Sequence, residues 1–127
     1  MRYKAVLISV LLFLVFVSTA AAQEKAYHAN RFDVDVIVEE GGSLLVTETI
    51  EFDFQGGPFT FVFRELEGDL TDGIQDIEAR VDGELFPFGS NSGQATLIRD
   101  DEDVRIQWNL APTSDAVRTF TLSYRLV

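Results

Sequence analysis

Apolar and polar residues alternate along several stretches of the chain. The first stretch covers residues 31–38, where every second residue is apolar. A longer stretch covers residues 43–54, and the last covers residues 118–127. Because successive side chains of a β-strand point to opposite faces, a period of two predicts strands with one buried face.

Turn-forming residues separate these stretches at short intervals. The Asp82-Gly83 dipeptide predicts a hairpin between residues 74–81 and residues 84–88. Acidic residues 100–103 predict another turn, between residues 94–98 and 104–110. The pattern predicts an all-β fold, an antiparallel, immunoglobulin-like β-sandwich of about seven or eight short strands, with no helix after residue 22.

An aromatic stretch at residues 59–64 follows the Gly56-Gly57 dipeptide. A two-residue loop there predicts a hairpin that sets Phe54 opposite Phe59. Cross-strand aromatic pairs stabilise a hairpin by a few tenths to about 1 kcal/mol each, so we expect this hairpin at the centre of the core. The predicted aromatic core consists of Phe52, Phe54, Phe59, Phe61, Phe63 and Trp108. The alternative is that some of these rings form an exposed binding platform.

The beginning of the chain has the pattern of an export signal. Arg2 and Lys4 precede an apolar run at residues 5–17, and small residues ending at Ala22 follow it. This order predicts a secretory signal peptide over residues 1–22. The alternative is an uncleaved anchor, since a spanning helix needs about 20 apolar residues. We expect residues 23–30 to be a flexible segment, either a tether or a frayed first strand, and residues 31–127 to be the sandwich domain.

The charge balance argues against two kinds of partner, and the cysteine content indicates how the fold is stabilised. The chain has 10 Lys and Arg against 21 Asp and Glu, which gives a formal net charge of −11. This balance opposes binding to nucleic acid, which requires clustered basic residues, and adsorption to anionic lipid headgroups. The chain has no cysteine, so its stability is expected to come from packing alone.

The residues that most enzymes and metal sites need are scarce. The single histidine, His28, lies in the predicted flexible segment, whereas a catalytic triad holds its histidine rigidly. The acidic turn at residues 100–103 offers the oxygen ligands that calcium prefers, but it does not match an EF-hand loop, because Arg105 stands where that loop needs glycine. We therefore expect no catalytic residue, no cofactor and no metal site.

Glu48 lies on the apolar side of its predicted strand, between Val46 and Ile50. An unpaired buried carboxylate is strongly unfavourable, so Glu48 needs a partner if it is buried. Arg64 is the strongest candidate, and we hypothesise a structural ion pair between them. The predicted two-residue hairpin sets Arg64 opposite Thr49 instead, so the pair requires a bulge or a longer turn. The alternative places Glu48 at an open edge of the sheet.

Several segments together resemble one protein family. They are Phe-Asp-Val-Asp-Val-Ile-Val at residues 32–38, Gly-Ser-Leu-Leu-Val-Thr-Glu-Thr-Ile at residues 42–50, Phe-Arg-Glu-Leu at residues 63–66 and Phe-Thr-Leu-Ser-Tyr-Arg-Leu-Val at residues 120–127. These segments resemble the N-terminal extracytoplasmic domain of the predicted membrane proteins grouped as domain of unknown function 2207. The family's pattern has proline where this chain has Glu67.

The resemblance implies a signal peptide, an external β-rich domain and later transmembrane segments. It implies no established biochemical activity. Glu48 and Arg64 occupy motif positions of the family, which implies a structural role for both.

We therefore expect a non-enzymatic extracytoplasmic interaction or structural module, either the external head of a longer membrane protein or a secreted domain. Its partner would be a protein or another cell-surface component, not nucleic acid. Contact with the membrane would come only through an uncleaved signal or a segment after Val127. The alternative is a sensory or ligand-binding ectodomain for a small molecule, glycan or cation. A hydrolase with two facing carboxylates is the weakest interpretation.

Overall fold

A computed structural model of the chain describes residues 24–69 and 71–127, and the predicted signal peptide lies outside these ranges. The described residues form eight strands: β1 (Ala26–Val38), β2 (Leu44–Gln55), β3 (Phe59–Leu66), β4 (Ile74–Val81), β5 (Glu84–Phe86), β6 (Ala95–Asp100), β7 (Asp103–Thr113) and β8 (Ala116–Leu126). The predicted all-β fold is confirmed. Within the same ranges, no helix is long and apolar enough to cross a membrane.

The strands form two antiparallel sheets. The larger sheet has five strands in the order β1-β2-β8-β4-β5, and the smaller has three in the order β3-β7-β6. Inward-facing side chains of both sheets form one core, as in a β-sandwich. The largest fully buried side chains are Trp108, Phe54, Phe120, Ile106, Leu122 and Val104. Burial of a large apolar side chain of this kind stabilises the fold by about 1.5–3 kcal/mol.

Two of the predicted hairpins are present. β4 and β5 pair around Asp82 and Gly83, whose φ angles of 50° and 81° are those of a tight hairpin turn. β6 and β7 pair across the acidic turn, with Asp100 opposite Asp103. Local turn chemistry was sufficient to predict both.

The predicted hairpin between β2 and β3 is wrong. β2 pairs with β1 and β8, whereas β3 lies in the other sheet and pairs with β7. The two glycines form a corner between the sheets instead of a hairpin loop. Gly56 donates a backbone hydrogen bond of 2.8 Å to Asp115 Oδ1, which ties this corner to the turn between β7 and β8. Phe54 and Phe59 do contact each other, with ring centroids 4.6 Å apart, but they meet across the core.

The expectations for the first strand also need correction. β1 begins at Ala26, so residues 26–30 form the start of the first strand, as one of the two alternatives had it, and not a flexible tether. Its apolar side is not buried, since Phe32, Val34 and Val36 remain 51%, 52% and 49% exposed. β1 is the edge strand of the five-stranded sheet, and it packs along β2 with little contact to the narrower sheet. Three strands cannot cover the full width of five.

Candidate functional site

A polar cluster lies within the core and joins the two sheets. Glu48 of β2, only 3% exposed, accepts hydrogen bonds from residues on two other strands. Arg64 of β3 donates from Nε to Oε1 at 2.7 Å and from Nη2 to Oε2 at 3.3 Å. Tyr124 of β8 donates its hydroxyl hydrogen to Oε2 at 2.5 Å. Three donors therefore satisfy a carboxylate that would otherwise be strongly unfavourable in this position.

Strand register explains how these residues meet. On β2, Glu48 lies opposite Leu122 of β8, and Tyr124 is the next inward-facing residue of β8. On β3, Arg64 lies opposite Ile106 of β7, whose side chain is fully buried. All three side chains of the cluster therefore point between the sheets. The guanidinium also approaches β1, with its carbon 5.9 Å from the centroid of the Phe32 ring.

The structure places Glu48 and Arg64 in contact, in a geometry different from the one considered in the sequence. The two residues lie in different sheets and face each other, so neither a bulge nor a longer hairpin turn is needed. Tyr124 was missed. The sequence did indicate it, because a tyrosine on the inward side of a predicted strand needs a hydrogen-bond partner for its hydroxyl group.

The cluster fixes the protonation of its donors. Burial raises the pKa of the Tyr124 phenol, and the hydrogen bond to Glu48 raises it further. The hydrogen bond to Glu48 also raises the pKa of Arg64. Near neutral pH, Tyr124 is therefore a neutral donor and Arg64 a charged one. Glu48 is enclosed by these donors, so the cluster links the two sheets through three hydrogen bonds.

The raised pKa of Tyr124 predicts a loss of stability at high pH. An unfolded tyrosine has a pKa of about 10, so the contribution of Tyr124 is fully present below that pH and is lost as the pH rises above it. At pH 8, Tyr124→Phe is expected to lower the free energy of unfolding by about 1–3 kcal/mol, since Oε2 of the buried carboxylate loses its shorter hydrogen bond and keeps only the 3.3 Å one from Arg64. The difference in the free energy of unfolding between this variant and the unsubstituted protein should become smaller above about pH 10.

Urea unfolding followed by the fluorescence of Trp108 would measure both effects, since the chain has one tryptophan and it is buried. Tyr27→Phe is the control, because Tyr27 is 65% exposed. A difference between Tyr124→Phe and the unsubstituted protein that stays constant up to about pH 11 would contradict the assignment.

The predicted aromatic core is correct only in part. Phe54 and Trp108 are 2% and 1% exposed, and Phe52 and Phe59 pack against the core. Phe61 and Phe63 are each 49% exposed, so their prediction as core residues was wrong. The pairing of β3 with β7 shifts register between Phe59 and Phe61. Beyond this irregularity the inward-facing residues of β3 are Val62, Arg64 and Leu66, opposite buried residues of β7.

An open side of the sandwich lies between β1 and β3, the edge strands of the two sheets. One end of it is a groove of about 400 Å³ lined mainly by aromatic rings, including Tyr27, Phe52 and Phe59. Among the described lining residues, Lys25 carries the only charge. The apolar side chains of β1 continue along this open side, where Phe32, Val34, Val36 and Val38 are about half exposed or more.

Other candidate chemistry is dispersed. His28 is on β1, 3.6 Å from a carboxylate oxygen of Asp53, and its side chain is 55% exposed. In the acidic turn, Asp103 accepts a hydrogen bond from the Gly68 backbone at 3.2 Å. Within residues 24–69 and 71–127, no group of three or more His, Asp or Glu side chains is placed to hold a metal ion.

These features define a class of protein: a cysteine-free β-sandwich domain whose two sheets are joined by a partly buried ion pair and whose first strand is an open edge. The model of one protein family, described as the N-terminal domain of predicted membrane protein DUF2207, matches residues 28–127. The chain belongs to this family, and the resemblance noted in its sequence is confirmed. No curated protein and no solved structure gives a significant match. The chain thus contains a β-fold domain of a predicted membrane protein, and the family's description names no activity.

Proposed function

We propose that this domain is a non-enzymatic interaction module on the extracytoplasmic side of a membrane and that it binds a protein partner through β1. The observation that supports this most is the exposed apolar side of β1 at the edge of the larger sheet. The predicted signal peptide and the membership of a family of predicted membrane proteins support the extracytoplasmic location.

β1 lacks most of the features that protect sheet edges. Natural edge strands are commonly very short, or carry proline, a bulge or an inward-pointing charge, so that they do not pair with other chains. The opposite edge of the same sheet, β5, has three residues, whereas β1 has 13 and no proline. Its one irregularity lies between Ala29 and Arg31. A long strand with a free edge and exposed apolar side chains is the geometry used for strand addition by a partner.

The other predicted functions have less support. A hydrolase would need accessible carboxylates facing each other, and Glu48 is buried and held by three donors. A ligand-binding ectodomain would need a pocket with several converging polar groups. The groove between β1 and β3 is lined mainly by aromatic rings, so its chemistry favours a contact surface over a selective pocket for a polar ligand.

A photo-activatable amino acid introduced at Val36 of β1 would test the proposal in the intact membrane protein, in cells of its source. Illumination is expected to give a covalent adduct with another protein, because Val36 is 49% exposed on the proposed surface. The matched control is the same substitution at Leu85 of β5, which is 48% exposed on the opposite edge.

The proposal predicts adducts from position 36 and few or none from position 85. Equal adducts from both positions, or none from position 36, would contradict binding through β1. An adduct with a protein that resides wholly in the cytoplasm would contradict the extracytoplasmic location.

A further inference from the structure

We propose that the segment recognised by β1 is an extended strand in which basic residues alternate with apolar ones, and that it pairs along residues 31–38. This inference rests on the proposed function and specifies the chemistry of the partner. It follows from the charges and apolar groups that β1 presents on its two faces.

The backbone of residues 31–38 offers an uninterrupted template. These residues pair with β2 without a register shift, from Arg31 opposite Glu51 to Val38 opposite Leu44. In the part of the chain that the structure describes, no strand pairs with the other side of β1. Since backbone groups of an antiparallel strand point alternately to its two sides, the free side of β1 presents donors and acceptors to a further strand.

The inward face of this template is apolar. Phe32, Val34 and Val36 face the same side as the core residues of β2 and remain about half exposed. A neighbouring strand would place every second side chain beside them. Apolar side chains at those positions would remove this surface from water, so every second residue of the partner is expected to be apolar.

The outward face is acidic at residues 33–35. It carries Asp33 and Asp35 on β1 and Glu51 on β2, one strand further in, and it continues with the exposed apolar residue Ile37. Arg31, the cation that β1 itself places on this face, already pairs with Asp33. Within the described residues, Asp35 has no basic side chain at salt-bridge distance. Opposite charges on neighbouring strands attract and like charges repel, so lysine or arginine is expected at the outward positions of the partner.

A second copy of this chain fits the edge poorly. Pairing β1 with another β1 would bring two aspartates and one arginine from each copy onto one face of the extended sheet, which leaves an excess of negative charge there. Each copy also carries a formal charge of −11, which adds long-range repulsion. Charge complementarity therefore favours a basic strand from a different protein.

Three peptides of nine residues would test the inference on the full chain. The first alternates valine and lysine, the second alternates valine and glutamate, and the third has the composition of the first with its lysines in one block. Fluorescence anisotropy at low and moderate salt would measure their dissociation constants. The alternating lysine peptide is expected to bind at least about tenfold more tightly than either other peptide, since charge and periodicity both matter.

Reversing the charges of β1 would show whether the peptides bind along this strand. The double variant Asp33→Lys, Asp35→Lys is expected to invert the preference between the lysine and glutamate peptides. The control is Glu78→Lys, Glu84→Lys on the hairpin of β4 and β5, because both glutamates are exposed and the change in charge is the same. This control should keep the original order of affinities.

Equal affinities for the three peptides would overturn the inference, since neither the charge nor the periodicity of the partner would then matter. Equal effects of the two double variants would also overturn it, since they would indicate a general attraction between charges that is not located at β1. Sedimentation that shows a dimer of the chain, abolished by the Asp33 and Asp35 changes, would overturn it in favour of self-association. If the peptides do not differ while position 36 still gives adducts in cells, the charge assignment fails and the interaction role stands. If position 36 gives no adduct, the interaction role itself fails.

Discussion

Replacing Arg64 with methionine is expected to lower the free energy of unfolding by about 3 kcal/mol. Methionine keeps the apolar part of the side chain but removes the charge that faces Glu48, whose side chain is 3% exposed. Removing one partner of a buried ion pair typically costs 3–5 kcal/mol, because the other charge stays buried. We expect the lower end, since the Arg64 side chain is 37% exposed and water can take over part of its contact.

Arg80→Met is the matched control, because Arg80 pairs with Glu78 at the surface and both side chains are more than 40% exposed. Exposed ion pairs contribute between zero and about 1 kcal/mol, so this variant should be nearly as stable as the unsubstituted protein. In a double-mutant cycle, Glu48→Gln should recover part of the stability lost in Arg64→Met, since it removes the unpaired charge. Equal stabilities of Arg64→Met and Arg80→Met would show that the cluster does not stabilise the fold.

Phe54→Ala and Phe61→Ala are expected to differ sharply, although the sequence alone gave both residues the same role. Phe54 is 2% exposed and packs against Phe59 and Phe120. Truncating such a side chain leaves a cavity and should lower the free energy of unfolding by about 3–5 kcal/mol. Phe61 is 49% exposed on the other face of its sheet, so its truncation should cost about 1 kcal/mol or less.

Urea unfolding of both variants, followed by Trp108 fluorescence, is the measurement. Both substitutions remove the same atoms, so a difference reports burial and not chemistry. Similar losses in the two variants would mean that β3 presents the opposite face to the core.

The strands themselves were predictable because their signals are local. Alternation over residues 43–54 and 118–127 predicted β2 and β8, and an Asp-Gly dipeptide predicted the hairpin of β4 and β5. In these segments, the alternating side chains and the turn residues that define each strand lie close together in the sequence. No knowledge of the sheet order was needed.

The arrangement of the strands was not predictable in the same way. A Gly-Gly dipeptide indicates a sharp change of direction, but a hairpin and a corner between sheets both use one. The register shift between β3 and β7 changes which side chains of β3 point to the core, and nothing in the aromatic stretch reveals this shift. The exposure of β1 depends on which strands end up at the edges, and this is decided by pairings between residues far apart in the chain.

The candidate cluster was predictable in part. A carboxylate on the apolar side of a strand signalled the need for a partner, and Arg64 was the strongest candidate. The approach of the two residues from different sheets depends on the same distant pairings as the fold. Tyr124 could have been found, since a buried phenol carries the same requirement for a hydrogen-bond partner.

Hydrogen–deuterium exchange would test most directly the central claim that β1 is a docking edge. It would be measured by mass spectrometry on the purified chain and on the same protein in its native membranes. The account predicts that backbone amides of residues 31–38 exchange roughly fivefold or more slowly in the membranes, while those of residues 78–86 exchange equally in both samples. Equal exchange of residues 31–38 in the two samples would show that the edge stays uncovered, and would contradict the account.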